Sequence, residues 1–117
     1  MTEILRRTFV QADLDRFGRI SGGDGLIHTD PDYAAATPFG HTLVQGMLLV
    51  GLMERAVGTV APTRRDTRLD VTFVAPVGPG MVVVIRQVDD ADPPRFEAAA
   101  DGKVVLVATL EPIDQGR

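Results

Sequence analysis

The chain has 117 residues, no cysteine and a formal net charge of −4, with 44% hydrophobic and 5% aromatic residues. That length suits one domain over residues 1–117, with a single core. The composition excludes a disordered chain, a disulfide scaffold and a thiolate metal site. Scattered arginines and few aromatic rings argue against a nucleic-acid surface. No apolar run is long enough to span a membrane. The opening MTEILRRTFV has no apolar core behind its charges, so no secretory leader and a cytoplasmic location are expected.

Residues 4–10 (ILRRTFV) read as a first strand. Residues 11–20 (QADLDRFGRI) read as a short helix, with Leu14, Phe17 and Ile20 at helical spacing and acids in the first turn, where they suit the helix dipole. Ser21-Gly22-Gly23 stops it. A loop to Thr29 follows. Asp30-Pro31 then opens another short helix, Asp30 as cap and Pro31 at its first position, ending before Pro38. Tyr33 on it is a packing residue or a pocket wall.

Residues 43–60 (LVQGMLLVGLMERAVGTV) read as the long central helix. Its apolar residues point in almost every direction, so burial nearly all round is expected, with a sheet wrapped about it. Gly46, Gly51 and Gly58 cost helix propensity, and close packing against the sheet is the expected compensation. After a polar turn at 61–67, periodicity changes to that of strands over about 66–111. Residues 66–77 alternate, placing Leu69, Val71, Phe73, Ala75 and Val77 on one face. Gly78-Pro79-Gly80 turns into residues 81–88 (MVVVIRQV), apolar on both faces. Residues 95–100 and 103–110 form a hairpin through Asp101-Gly102. The sum is an α+β fold, a curved antiparallel sheet around one long helix. A strand apolar on both faces also suggests a homodimer, because one helix covers only one face of a sheet.

Residues 17–47 carry the densest chemistry, FGRISGGDGLIHTDPDYAAATPFGHTLVQGM, including both histidines, His28 and His41. This stretch resembles the hydratase motif of the MaoC-like family, the R-specific enoyl-CoA hydratases and related dehydratases. Phe17, Ser21, Gly22, Ile27, His28, Asp30, Tyr33, Ala34, Phe39, Gly40, Gly46 and Met47 match in register, and VTFVAPVGPGMVV resembles the family's strand-turn-strand. The resemblance covers about residues 8–112. It implies a single hotdog domain and reversible hydration of trans-2-enoyl thioesters, or dehydration of (R)-3-hydroxyacyl thioesters. The acyl carrier is coenzyme A or an acyl carrier protein. No metal or redox cofactor is implied, and no nucleic-acid or membrane partner.

Three positions depart from the motif. The family's acid, five residues before its histidine, is Gly23 here, and Asp24 follows one residue late. Gly25-Leu26 replaces Asn-Pro, and Gln45 replaces the histidine before Gly46.

The chemistry needs a base for water, an acid for the α-carbon and donors for the enolate oxygen. Histidine suits the first, because imidazole titrates near neutrality. His28 takes that role by the resemblance; its plain alternative is a loop histidine satisfied by backbone. Asp24 is its expected partner if residues 24–28 form a helical turn, since positions four apart share a face; otherwise it makes a local turn. The unpaired N–H groups at Gly46 and Met47 suit the oxyanion. Gln45, Ser21 and Phe39 complete the expected substrate-binding set, with Ser21 equally a turn residue. His41 and Asp30 read as a loop histidine and a cap.

Two alternatives stay open. One is a non-catalytic hotdog subunit that binds an acyl group or pairs with an active partner, motivated by Gly23. The other is an acyl-CoA thioesterase with Glu54, nine residues after Gln45, as base; a solvated helix face explains Glu54 equally well. Arg64, Arg65 and Arg68 are available to a phosphate. The type II fatty-acid dehydratase pattern is absent, because Thr37 and Gly51 stand where it needs histidine and glutamate.

Overall fold

The computed structural model describes residues 1–62 and 66–113. The elements are β1 (Thr2–Thr8), α1 (Gln11–Ser21), α2 (Leu26–Thr29), α3 (Pro31–Ala35), α4 (Gly46–Val60), β2 (Thr67–Phe73), β3 (Val82–Gln87), β4 (Arg95–Ala100) and β5 (Lys103–Pro112). The five strands form one sheet in the order β1-β3-β4-β5-β2, and every neighbouring pair is antiparallel.

Local chemistry explains the ends. At the start of α1 the Asp13 carboxylate accepts from the Val10 N–H at 2.8 Å, while Asp13 N–H donates to the Val10 carbonyl. Gly22, at φ 82°, closes α1 by donating to the Gly18 carbonyl, a left-handed cap that suits glycine. Asp30 caps α3 as expected, accepting from the N–H groups of Asp32 and Tyr33. The β4–β5 turn has Asp101 and Gly102 both at positive φ, as a two-residue hairpin requires.

The core lies between one side of α4 and the sheet. Leu49, Leu52, Met53, Ala56 and Val57 meet Val83, Ile85, Phe96, Ala98, Val105, Leu106 and Ala108, with Phe9, Leu14 and Val44 closing it. Each fully buried Val, Leu, Ile, Met or Phe side chain among them contributes roughly 1.5–3 kcal/mol.

Several expectations need correction. Helix α4 begins at Gly46, not Leu43: Gln45, at φ −59° and ψ 137°, lies outside the helical region, and before it Leu43 and Val44 donate across to the carbonyls of Ile27 and Val77. Nor is it buried all round: Met47 is 67% exposed, and Gly51, Arg55 and Val60 also face outward. Ile20 on α1 and Tyr33 on α3 are exposed. Strand β2 stops at Phe73 because the next two N–H groups, of Val74 and Ala75, both turn to the Val105 carbonyl. Arg68 pairs with Glu111, while Arg64 and Arg65 lie outside the described residues.

The glycines of α4 do not share one cause. A Cβ on Gly46 would stand 3.0 Å from the Phe73 ring, but one on Gly51 or Gly58 would meet nothing within 4 Å. Gly58→Ala is therefore expected to stabilise the domain by about 0.5–1 kcal/mol, read as a raised unfolding midpoint in urea.

Candidate active site

His28 sits on α2, a single turn begun by Gly25 in an extended conformation. Two tethers hold that turn. Gln11 Nε2 donates to the His28 carbonyl at 2.8 Å, and its Oε1 accepts from Thr42. The Leu43 N–H donates to the Ile27 carbonyl. These bonds bring α2 against the start of α4, far along the chain.

The imidazole is held through Nδ1, 2.7 Å from the Leu43 carbonyl oxygen. A carbonyl only accepts, so Nδ1 carries the proton in the neutral ring and Nε2 keeps its lone pair. That tautomer is the one a general base needs when Nε2 is the reacting nitrogen.

His28 and Gly46 line two adjoining clefts. One, of about 390 Å³, is apolar, with Leu43, Leu49, Phe73, Val74 and Val77 in its wall. The other, of about 430 Å³, includes Phe17, Ser21, Gly23, Gln45 and Met47. Phe17 and Met47 are shared with a third cleft of about 360 Å³, lined also by Arg7, Arg16 and Arg55.

The first N–H groups of α4 open onto this region. Leu48 and Leu49 donate to the Gln45 carbonyl, but those of Gly46 and Met47 have no acceptor among the described residues. They carry the positive end of the helix dipole.

Asp24 is placed differently from expectation. Because α2 starts at Leu26, residues 24–28 are not one helical turn, and the i,i+4 relation to His28 is lost. Asp24 is exposed; among the described residues its carboxylate has no hydrogen bond or ion pair, and it lines neither cleft at His28. Its backbone carbonyl accepts from Thr29 Oγ1. Gly23, not Asp24, stands in the cleft wall.

Ser21 lines the cleft, but its hydroxyl donates to the Phe17 carbonyl and accepts from the Gly23 N–H. Phe39 is exposed and lies outside both clefts. His41 is an exposed loop histidine whose Nδ1 donates to the Thr42 carbonyl. Glu54 is half-buried on α4 and lines none of the three clefts. Phe73, expected on one strand face with Leu69 and Val71, stands over Gly46 and lines the apolar cleft. No group of three or more potential metal ligands occurs among the described residues.

An antiparallel sheet in this strand order, packed on one long helix whose N-terminus meets a tethered histidine, is a hotdog domain. The MaoC like domain family matches residues 2–106, and the chain belongs to that family. A curated relative, the 3-hydroxybutyryl-CoA dehydratase of Methylorubrum extorquens AM1, is 33% identical over 88 residues, which make up 74% of this chain and 56% of that protein. The chain thus spans about half the length of that relative. Among solved structures, the (R)-hydratase from A. caviae superimposes with a TM-score of 0.73 at 22% identity, covering 94% of this chain and 92% of that one. R-hydratase PhaJ1 from Pseudomonas aeruginosa gives 0.70 at 25% identity, over 94% and 79%. No described helix is long and apolar enough to cross a membrane.

Proposed function

We propose that this domain adds water reversibly across the double bond of a trans-2-enoyl thioester. The observation that carries this reading is His28, held by Leu43 as the Nδ1–H tautomer beside the two unpaired N–H groups that open α4. A base and an oxyanion site facing one cleft are the minimum that conjugate addition of water needs.

The steps balance as follows. His28 Nε2 removes a proton from water as the oxygen bonds to C3. The π electrons move toward the thioester oxygen, which the N–H groups of Gly46 and Met47 stabilise. The imidazolium then returns its proton to C2, and the enolate collapses to the 3-hydroxyacyl thioester. A single group serving both atoms adds water to one face, and the (R) hand of the product is the one borne by the (R)-hydratases that resemble the fold.

The clefts suit such a substrate. The Phe73-lined cleft is apolar enough for a short acyl chain, and the arginines of the third offer charge to the phosphates of coenzyme A or a carrier's pantetheine arm. Exposed Met47, Phe73, Val74 and Val60 support a homodimer that would cover them. In keeping with this chemistry the protein needs no metal or redox cofactor, and we assign it to the cytoplasm.

Asp24 contributes through its field rather than through contact. A unit charge in a watery setting is worth about 1 kcal/mol at short range, so Asp24→Asn is expected to lower kcat by no more than about fivefold.

The test is crotonyl-CoA mixed with purified protein, following enoyl absorbance and free thiol together. Hydration removes the absorbance and releases no thiol. Thiol release would instead move the assignment to a thioesterase with Glu54 as base. Inertness toward short and long chains would favour the non-catalytic subunit, the reading that Gly23 at the family's acid position supports.

A further inference from the structure

Gln11 opens α1, and both the nitrogen and the oxygen of its half-buried amide are engaged. Nε2 donates to the His28 carbonyl at 2.8 Å and to the Asp15 carboxylate at 3.0 Å, while Oε1 accepts from Thr42 Oγ1 at 2.6 Å. These partners fix which end of the amide is which, because turning it over would set its oxygen against a carbonyl and a carboxylate. Thr42 is 3% exposed, so its hydroxyl depends on this acceptor. Gln11 itself lines none of the three clefts.

The place of this clasp in the chain gives it a consequence for the imidazole. Leu43 meets α2 twice: its N–H donates to the Ile27 carbonyl at 3.0 Å, and its carbonyl accepts from His28 Nδ1. Two segments joined at a single residue can still swing about it. Gln11 ties the next residue of α2, His28, to the residue before Leu43, Thr42. The spacing it spans is the spacing that decides whether the imidazole reaches the Leu43 oxygen. Its own base is firm, since the start of α1 is closed by the Asp13 carboxylate on the Val10 N–H. A reacting group is held in line when its support is locked in this way.

We infer that Gln11 is a positioning residue for the proton chemistry: its amide holds α2 and Thr42 at the spacing that keeps the His28 Nδ1–H on the Leu43 carbonyl and leaves Nε2 free for water. This rests on the hydratase reading above and deepens it. Gln11 touches neither the substrate nor the transferred proton, and it acts through His28. Loss of the clasp loosens the Leu43 bond. The neutral ring then exchanges into the Nε2–H tautomer, which the Leu43 carbonyl disfavours and in which Nε2 has no lone pair to give.

The experiment measures kcat and KM for crotonyl-CoA, thermal melting, and the tautomer of neutral His28 by long-range proton–nitrogen correlation. The variants are Gln11→Met, Thr42→Val and Thr42→Ser. Gln11→Met keeps the length of the side chain and removes the amide. It is expected to lower kcat at least about tenfold while KM moves less than about threefold, and to bring up the Nε2–H tautomer of His28. Thr42→Val should move kcat and the tautomer in the same direction, and Thr42→Ser, which keeps the hydroxyl, should recover most of that loss. If Gln11→Met fails to fold, the two Thr42 variants decide. Folded variants in which His28 stays wholly in the Nδ1–H form would overturn the role of Gln11, whether kcat falls or not, and would leave the hydratase reading standing. A wild type inert toward crotonyl-CoA and longer enoyl chains would overturn the hydratase reading, and with it the role inferred for Gln11 in proton chemistry; a tautomer shift in Gln11→Met would then support a purely structural clasp.

Discussion

Replacing His28 by alanine is expected to lower kcat for enoyl-thioester hydration by about 10²–10⁴-fold, the range that a positioned general base contributes. The fold should survive. The side chain is half-buried, and its one hydrogen bond, to the Leu43 carbonyl, is worth roughly 0.5–1.5 kcal/mol net. Gln11 and Leu43 continue to hold the α2 backbone. A sharper variant is His28→Asn, whose amide nitrogen can still donate to Leu43 but which has no basic nitrogen. It should melt like the wild type and be as inactive as the alanine variant. An asparagine variant with near-normal kcat would mean that the imidazole only tethers α2.

Gly46→Pro is expected to cost about 10²–10³ in kcat at nearly unchanged stability. Proline removes the Gly46 N–H, one of the two donors assigned to the enolate oxygen. The backbone is ready for it, since Gly46 is the first residue of α4, a position proline favours. Gln45, before it, has φ −59° and ψ 137°, the extended conformation that a residue preceding proline adopts. The control is Gly46→Ala, which puts a Cβ against the Phe73 ring but keeps the N–H. Phe73 is 54% exposed, so its ring can yield, and the alanine variant should lose only a few-fold. Equal losses in the two variants would assign the effect to Phe73 and the apolar cleft instead of the donor.

What could be read from the chain alone was whatever short-range chemistry decides. Asp30-Pro31 starts a helix because a side chain and a fixed φ act within three residues, and Asp101-Gly102 turns a hairpin for an equally local reason. Periodicity found the hairpin strands and the central helix, but it left α4 without the exposed face that Met47, Gly51 and Arg55 form. The misreadings occur where distant partners compete. Leu43 and Val44 suit a helix, but they are tethered to Ile27 and Val77, Gln45 after them is extended, and the true start of α4 is Gly46. Alternation carried one strand face from Leu69 through Phe73 to Val77, whereas the strand ends at Phe73 and the ring covers Gly46. Asp24 was paired with His28 by a spacing that holds only inside a helix, and Gly25 starts that helix too late.

The site itself was half legible. His28 and Gly46 stood out through the resemblance, but the carbonyl that orients the imidazole belongs to Leu43, and a backbone acceptor has no sequence signature. Two of the three departures from the motif, Gly23 and Gln45, meet in the structure. Read singly they look like losses; the Gln45 amide donates to the Gly23 carbonyl, a long-range contact without a sequence signature.

The central claim is that one imidazole, His28, does the proton chemistry through Nε2. Its most direct test is the protonation state of that ring, observed by long-range proton–nitrogen correlation in the neutral form. The chain has two histidines, so a His41→Gln variant assigns the signals. The expected result is a proton on Nδ1 of His28 and an unprotonated Nε2 whose resonance shifts when an unreactive enoyl-thioester analogue binds. A neutral ring protonated at Nε2 would contradict the claim, because the lone pair would then face the Leu43 carbonyl and the cleft would hold no base at His28.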